Sequence, residues 1–195
     1  MAEKQAKARQ TMDKWKRKVN YTIFAPEDFD NKALAETVAT KPEQLIGRNI
    51  SAGMRDLTNE VKKQFITVKF KVTEVKGNKA YTTVVGHSIK EIYIKRLIRR
   101  RSSKMQVVGD YLTRDAKKVK VKAVVISAKK LAQKKKTGIR NIMKDIIAKY
   151  VRGKDQDKII GELVFGNLPG KIFNEVKKIA AIKRVEITKS NIIKA

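Results

Sequence analysis

Apolar and polar residues alternate with a period of two along several stretches of this chain. Ile66, Val68, Phe70 and Val72 interleave with Thr67, Lys69, Lys71 and Thr73, the pattern of a strand buried on one face. After Gly77-Asn78, Tyr81, Thr83 and Val85 alternate with Ala80, Thr82 and Val84. A two-residue Gly-Asn link between such runs predicts a hairpin, because its turn requires positive φ. Val119, Val121, Ala123 and Val125 interleave with Lys118, Lys120 and Lys122 in a further strand. Residues 45–57, with Gly47 and Gly53 as bulges, read as a weaker strand, and residues 185–187 as a final one.

The period changes elsewhere. Ser88 with Glu91 three residues on has the form of a capping box, which predicts a helix through about Arg100. Ile139, Ile142, Met143, Ile146, Ile147 and Tyr150 recur at helical spacing and make an amphipathic stripe. Pro169 suits a first helical turn, and Ile172, Phe173, Val176 and Ile179 continue it. The expected fold is α+β: an antiparallel sheet, closed as a β-barrel and flanked by α-helices. Residues 1–20 form a basic N-terminal arm, disordered until it meets a partner. Residues 21–195 form a single domain, strand-rich over 45–127 and helix-rich over 137–180.

Composition adds a partner to this picture. Of 195 residues, 42% are hydrophobic, enough for a buried core, yet 47 Lys and Arg face 19 Asp and Glu, for a net charge of +28. Residues 95–136 carry 16 basic and 2 acidic side chains, half of the excess. A surface built only for solubility mixes its signs. This one concentrates a single sign, and self-repulsion on that scale calls for a polyanion, nucleic acid first.

Chemistry is narrowed by what is missing. With no Cys there are no disulfides, thiolate nucleophiles or Cys-based zinc sites. The opening MAEKQAKARQTMDKWKRK lacks an apolar leader, and no run of apolar residues is long enough to span a membrane. These features lead us to expect a cytoplasmic protein. His87 is the sole histidine and reads as a packed, hydrogen-bonded residue. Gly166-Asn167-Leu168-Pro169-Gly170-Lys171 resembles a phosphate loop but has three residues between its glycines and Ile172 where Ser or Thr belongs. No carboxylate cluster is spaced for metals; Asp155 and Asp157 are the closest pair. Neither an enzyme, a cofactor nor a metal is expected.

Three segments are candidates for RNA. Lys95, Arg96, Arg99, Arg100, Arg101, Ser102, Ser103 and Lys104 combine guanidinium forks, which grip phosphate bidentately, with hydroxyl donors. Lys134, Lys135 and Lys136 form a basic loop before the amphipathic helix, shortly after the Lys118, Lys120 and Lys122 strand face. Lys14, Trp15, Lys16, Arg17 and Lys18 place the only Trp among cations, where it either stacks on a base or anchors the arm.

These residues, in order, resemble a known family: the archaeal and eukaryotic small-subunit ribosomal proteins called eS-one, formerly S-three-A-e, here of the archaeal type. The match runs through Lys14-Trp15-Lys16, Ala25-Pro26, Phe29, Ile46-Gly47-Arg48, Asp56-Leu57, Gly86-His87, Arg99-Arg100 with Ser102-Ser103, Ile139-Arg140, Met143 and Arg184-Val185-Glu186-Ile187. Asn20, Ala35, Ala116 and Ala181 depart from it. The resemblance implies a central antiparallel barrel flanked by helices and a non-catalytic protein bound to small-subunit ribosomal RNA on the platform near the messenger exit site. Neighbouring ribosomal proteins and messenger RNA at the exit are implied as partners, with no homo-oligomer. Arg48, Arg140 and Arg184 join the RNA-contact candidates on this ground. The competing expectation is a free RNA-binding translation factor or RNA chaperone.

Overall fold

The computed structural model describes residues 18–115, 117–154, 159, 162–163 and 168–193. Among these residues the eight strands are β1 (Val19–Phe24), β2 (Ala33–Ala39), β3 (Asn49–Gly53), β4 (Ile66–Lys76), β5 (Lys79–Ile89), β6 (Lys104–Leu112), β7 (Lys118–Ser127) and β8 (Ile182–Ile193). The helices described are α1 (Met54–Thr58), α2 (Glu91–Leu97), α3 (Gln133–Arg152) and α4 (Leu168–Lys177). The β4–β5 hairpin turns at Gly77, whose φ is +58°, as the Gly-Asn pair predicts.

The fold is α+β, but the sheet is open. Its order is β2-β1-β5-β8-β7-β6, with β4 pairing both β3 and β5, so β2 and β6 end the path instead of meeting. The barrel expectation is corrected accordingly. Nor is the sheet wholly antiparallel: Thr22–Phe24 of β1 runs parallel to Lys79–Tyr81 of β5. Farther along β5, Gly86–Ser88 pairs with β8. A strand that changes neighbours along its length lets a sheet fan out where a barrel must return to its first strand.

The chain divides into two compact units, Met1–Ile50 with Phe70–Thr83, and Ser51–Lys69 with Val84–Ala195. The first buries Tyr21, Ile23, Ala39, Leu45, Val72 and Ala80. In the second, one face of β6, β7 and β8 supplies Met105, Val107, Val119, Val121, Ala123, Val125, Val185 and Ile187 to the core. Ile139, Met143, Ile147 and Val151 of α3 and Leu168, Ile172 and Val176 of α4 cover that face. At about 25 cal/mol per Å² of apolar surface removed from water, these stripes hold the layers together. The opposite face of β7 is covered at one end, where Val124 and Ile126 are each 1% exposed, and reaches solvent at the other, where Lys118 and Lys120 are exposed.

Two local expectations fail for tertiary reasons. Residues 45–57 are not one strand, because β3 ends at Gly53 and α1 follows directly. Ser88 caps nothing: it lies in β5 opposite Lys189 of β8, and α2 starts at Glu91 without a side-chain cap. Sheet pairing has overridden the capping pattern.

Candidate nucleic-acid interface

The open face of β6–β7–β8 follows from register. Even-numbered residues of β6 and β7 share it, since Lys104 pairs with Ile126, Gln106 with Val124, Val108 with Lys122 and Asp110 with Lys120. On the other side of β7, Lys122 pairs with Lys189, but Ala123 then pairs with Ile187, leaving Thr188 as the extra residue of a bulge. The bulge brings Lys189 onto the face that Arg184 and Glu186 also occupy. Thr188 Oγ1 fastens it by donating to the Lys122 carbonyl at 3.0 Å.

Lys122 and Lys189 are thereby direct cross-strand neighbours of like charge, an arrangement that destabilises a free sheet. They are not isolated. A cleft of about 520 Å³ is lined by Lys69, Lys90, Lys95, Lys104, Lys122 and Lys189, with Glu91 as the only acid among its described residues. Ser88, Gln106 and Thr188 add polar groups, and Ile94, Ile98 and Val124 an apolar lining. Beyond the cleft, Lys118 and Lys120 continue the basic face, and Asp110 faces Lys120 at 3.6 Å with both half exposed. An ion pair so exposed is worth little and leaves most of the field intact.

Arg99–Arg101 do not extend α2, which ends at Leu97; they occupy the turn leading into β6. Ser102 fixes the turn. The Arg99 amide donates to Ser102 Oγ at 3.1 Å, and that hydroxyl donates to the Arg99 carbonyl at 2.6 Å. Arg101 takes φ +63°. All three arginines are exposed, as are Lys95, Arg96 and Lys104, whereas Ser102 is half-buried. Ser103 is buried, and its hydroxyl accepts the Leu131 amide at 3.1 Å. It therefore braces the loop of Lys129 and Lys130 instead of facing solvent.

Lys134, Lys135 and Lys136 lie in the first turn of α3, not in a loop before it. That turn holds no acid, although a helix N-terminus favours anions and disfavours cations. Arg140, half-buried, follows on the same helix. Arg184 is engaged within its own strand: its Nε donates to Glu186 at 2.8 Å, and Tyr93 OH donates to the same carboxylate oxygen at 3.3 Å. Burial and Glu186 push the Tyr93 phenol above its usual range. Arg48 belongs to the first unit, where its guanidinium donates to the Gln44 carbonyl and to Thr37 Oγ1, each at 3.0 Å. Lys14, Trp15, Lys16 and Arg17 lie outside the described residues, while Lys18 is half-buried just before β1.

Lys69, Lys90 and Lys189 escape sequence reasoning, since each stands in a run of ordinary composition and only the fold gathers them. His87 is buried and neutral. Its Nε2 donates to the Ile187 carbonyl at 2.9 Å, and its Nδ1 accepts from Ser190 Oγ at 2.6 Å. Desolvation lowers its pKa, outweighing the Ile187 hydrogen bond. No group of three or more potential metal ligands occurs among the described residues.

Residues 6–195 match the Ribosomal S3Ae family. The chain belongs to this family. It is 40% identical to small ribosomal subunit protein eS1 of Methanococcus vannielii over 181 residues, covering 93% of this chain and 82% of that one. It is 36% identical to small ribosomal subunit protein eS1 of Saccharolobus islandicus over 189 residues, covering 97% and 91%. No helix among the described residues is long and apolar enough to cross a membrane.

Proposed function

We propose that this S3Ae-family chain is a structural, non-catalytic component of the small ribosomal subunit, and that it holds ribosomal RNA with the open face of β6–β7–β8. The observation that carries the RNA reading is the lysine-lined cleft with Lys122 directly opposite Lys189. Such a surface is unfavourable in the free protein and becomes favourable when phosphates neutralise it. The names of the relatives, small ribosomal subunit protein eS1, support the assembly, since the similarity runs over nearly the whole of this chain.

In this reading Lys95, Arg96, Lys104, Lys118, Lys120 and Lys122 contact phosphate directly, with Lys69, Lys90 and Lys189 added. Arg99, Arg100 and Arg101 present their forks from the turn beside Lys104. Ser103 positions the neighbouring loop. Lys134–Lys136 and Arg140 carry the charge onto α3, and the N-terminal arm extends the contact. Neighbouring ribosomal proteins, the platform and the messenger exit complete the proposed setting.

Sedimentation tests it. A tagged chain expressed in its host migrates with the small subunit and stays there through a high-salt wash. If it washes into the soluble fraction, the chain is a cycling factor and the structural role is wrong.

A further inference from the structure

The first unit carries an aromatic pair on a solvent-facing strand surface. In the parallel pairing of β1 with β5, Ile23 faces Ala80 and Phe24 faces Tyr81. Ile23 and Ala80 point inward and are 2% and 0% exposed. Phe24 and Tyr81 therefore point outward together, with ring centroids 6.3 Å apart and planes tilted by 30°. Tyr81 is 37% exposed and Phe24 half-buried. Two lysines flank the rings: Lys79 Nζ lies 5.8 Å from the Phe24 centroid and Lys76 Nζ 5.7 Å from that of Tyr81. The rings line a groove of about 480 Å³ shared with Pro26, Glu27, Asn31 and Thr82.

We propose that this groove stacks an unpaired nucleobase of RNA on Phe24 and Tyr81, with Lys76 and Lys79 on the adjoining phosphates. The proposal rests on the RNA-binding reading above and adds a site of a different kind. Aromatic rings displayed on a sheet surface are a stacking platform for single-stranded RNA, and paired RNA cannot use them because its bases are already stacked. The polar groups agree. A groove for phosphate alone gains nothing from the Glu27 carboxylate, whereas a base presents amino groups to it and both donors and acceptors to the Asn31 amide. Two cations beside the rings favour an anionic ligand over a purely apolar one, and Lys76, whose exposed pair with Glu74 spans 3.4 Å, is free to exchange that partner for a phosphate.

The test uses the full chain and two probes, an unstructured single-stranded RNA oligonucleotide and an RNA duplex of equal length. Tyr81→Ala is expected to weaken single-strand binding by about 5- to 100-fold and leave duplex binding unchanged. Tyr81→Trp, which keeps a ring, is expected to bind at least as well as the natural chain. Thermal melting of each variant controls for folding, and Phe24→Leu gives a second, milder removal of a stacking face. The site is overturned if Tyr81→Ala binds the single strand like wild type, or if both probes weaken equally. It is also overturned if Tyr81→Ala retains RNA but fails to join the small subunit, because the groove then seats a protein. A natural chain that binds duplex but not single strand overturns the stacking site alone. One that binds neither overturns the RNA reading beneath it as well.

Discussion

Ser190 Oγ lies 2.6 Å from His87 Nδ1 across the β5–β8 pairing, and it also accepts the His87 amide at 3.3 Å. Burial keeps the single histidine neutral, and the Ile187 carbonyl, which can only accept, fixes the tautomer in which Nε2 donates and Nδ1 accepts from the Ser190 hydroxyl. In the unfolded chain the same imidazole is protonated below about pH 6.5. Stability is therefore complete above that value and is lost as pH falls below it, by up to about 1.4 kcal/mol per pH unit. Denaturant unfolding at pH 7.5 and 5.5 measures this loss, and His87→Gln is expected to reduce it. An equal loss in the variant would contradict the assignment.

Gly86, beside His87, meets the same residue through its backbone. A Cβ there would stand 2.0 Å from the Ser190 carbonyl oxygen. Backbone cannot swing aside as a side chain does, so Gly86→Ala is expected to cost about 3 kcal/mol or more, at or above the usual cost of overpacking. Gly77 is the contrast, with φ +58° and nothing within 4 Å of an added Cβ. Gly77→Asn meets no clash, and Asn tolerates positive φ, so it is expected to cost less than about 1 kcal/mol. Unfolding free energies of the two variants decide whether approach or dihedral governs each position.

At the start of α3, stability and binding are expected to move in opposite directions. Lys134→Glu with Lys135→Glu replaces cations that oppose the helix dipole by anions that suit it. The free protein is expected to gain about 0.3–1 kcal/mol per residue. RNA affinity is expected to fall in the same variant. A melting temperature that drops would show that the lysines are supported by something other than RNA.

Arg99, Arg100 and Arg101 test geometry separately from charge. Lysine at all three positions keeps the field and removes the bidentate forks. Because the Ser102 hydroxyl holds the turn, the expected loss is at least about 1 kcal/mol of RNA affinity per well-placed fork. Binding like wild type at fixed salt would leave the arginines as sources of field alone.

What the sequence revealed was governed by range. The Gly77-Asn78 hairpin, the alternating lysines of β7 and the α3 stripe are local patterns, and all three elements are present in the fold. Failures came where distant segments meet. Ser88 was drawn into β5 by Lys189, about a hundred residues away, and no local feature announces that β6 and β2 remain unjoined edges. The same holds for the cleft. Lys104 and Lys122 stood out through runs and alternation, but Lys69, Lys90 and Lys189 acquire meaning only through register and the Thr188 bulge.

The salt dependence of RNA binding bears on the lysine face without intermediaries. Each phosphate a lysine neutralises releases counterions, so the wild-type affinity for small-subunit ribosomal RNA is expected to fall about 10³- to 10⁵-fold between 50 and 200 mM salt. Replacing Lys104, Lys122 and Lys189 together by Gln is expected to lower the slope of log K against log salt by about 3, one for each lost phosphate contact. An unchanged slope in that triple variant would contradict the assignment of the β6–β7–β8 face to RNA.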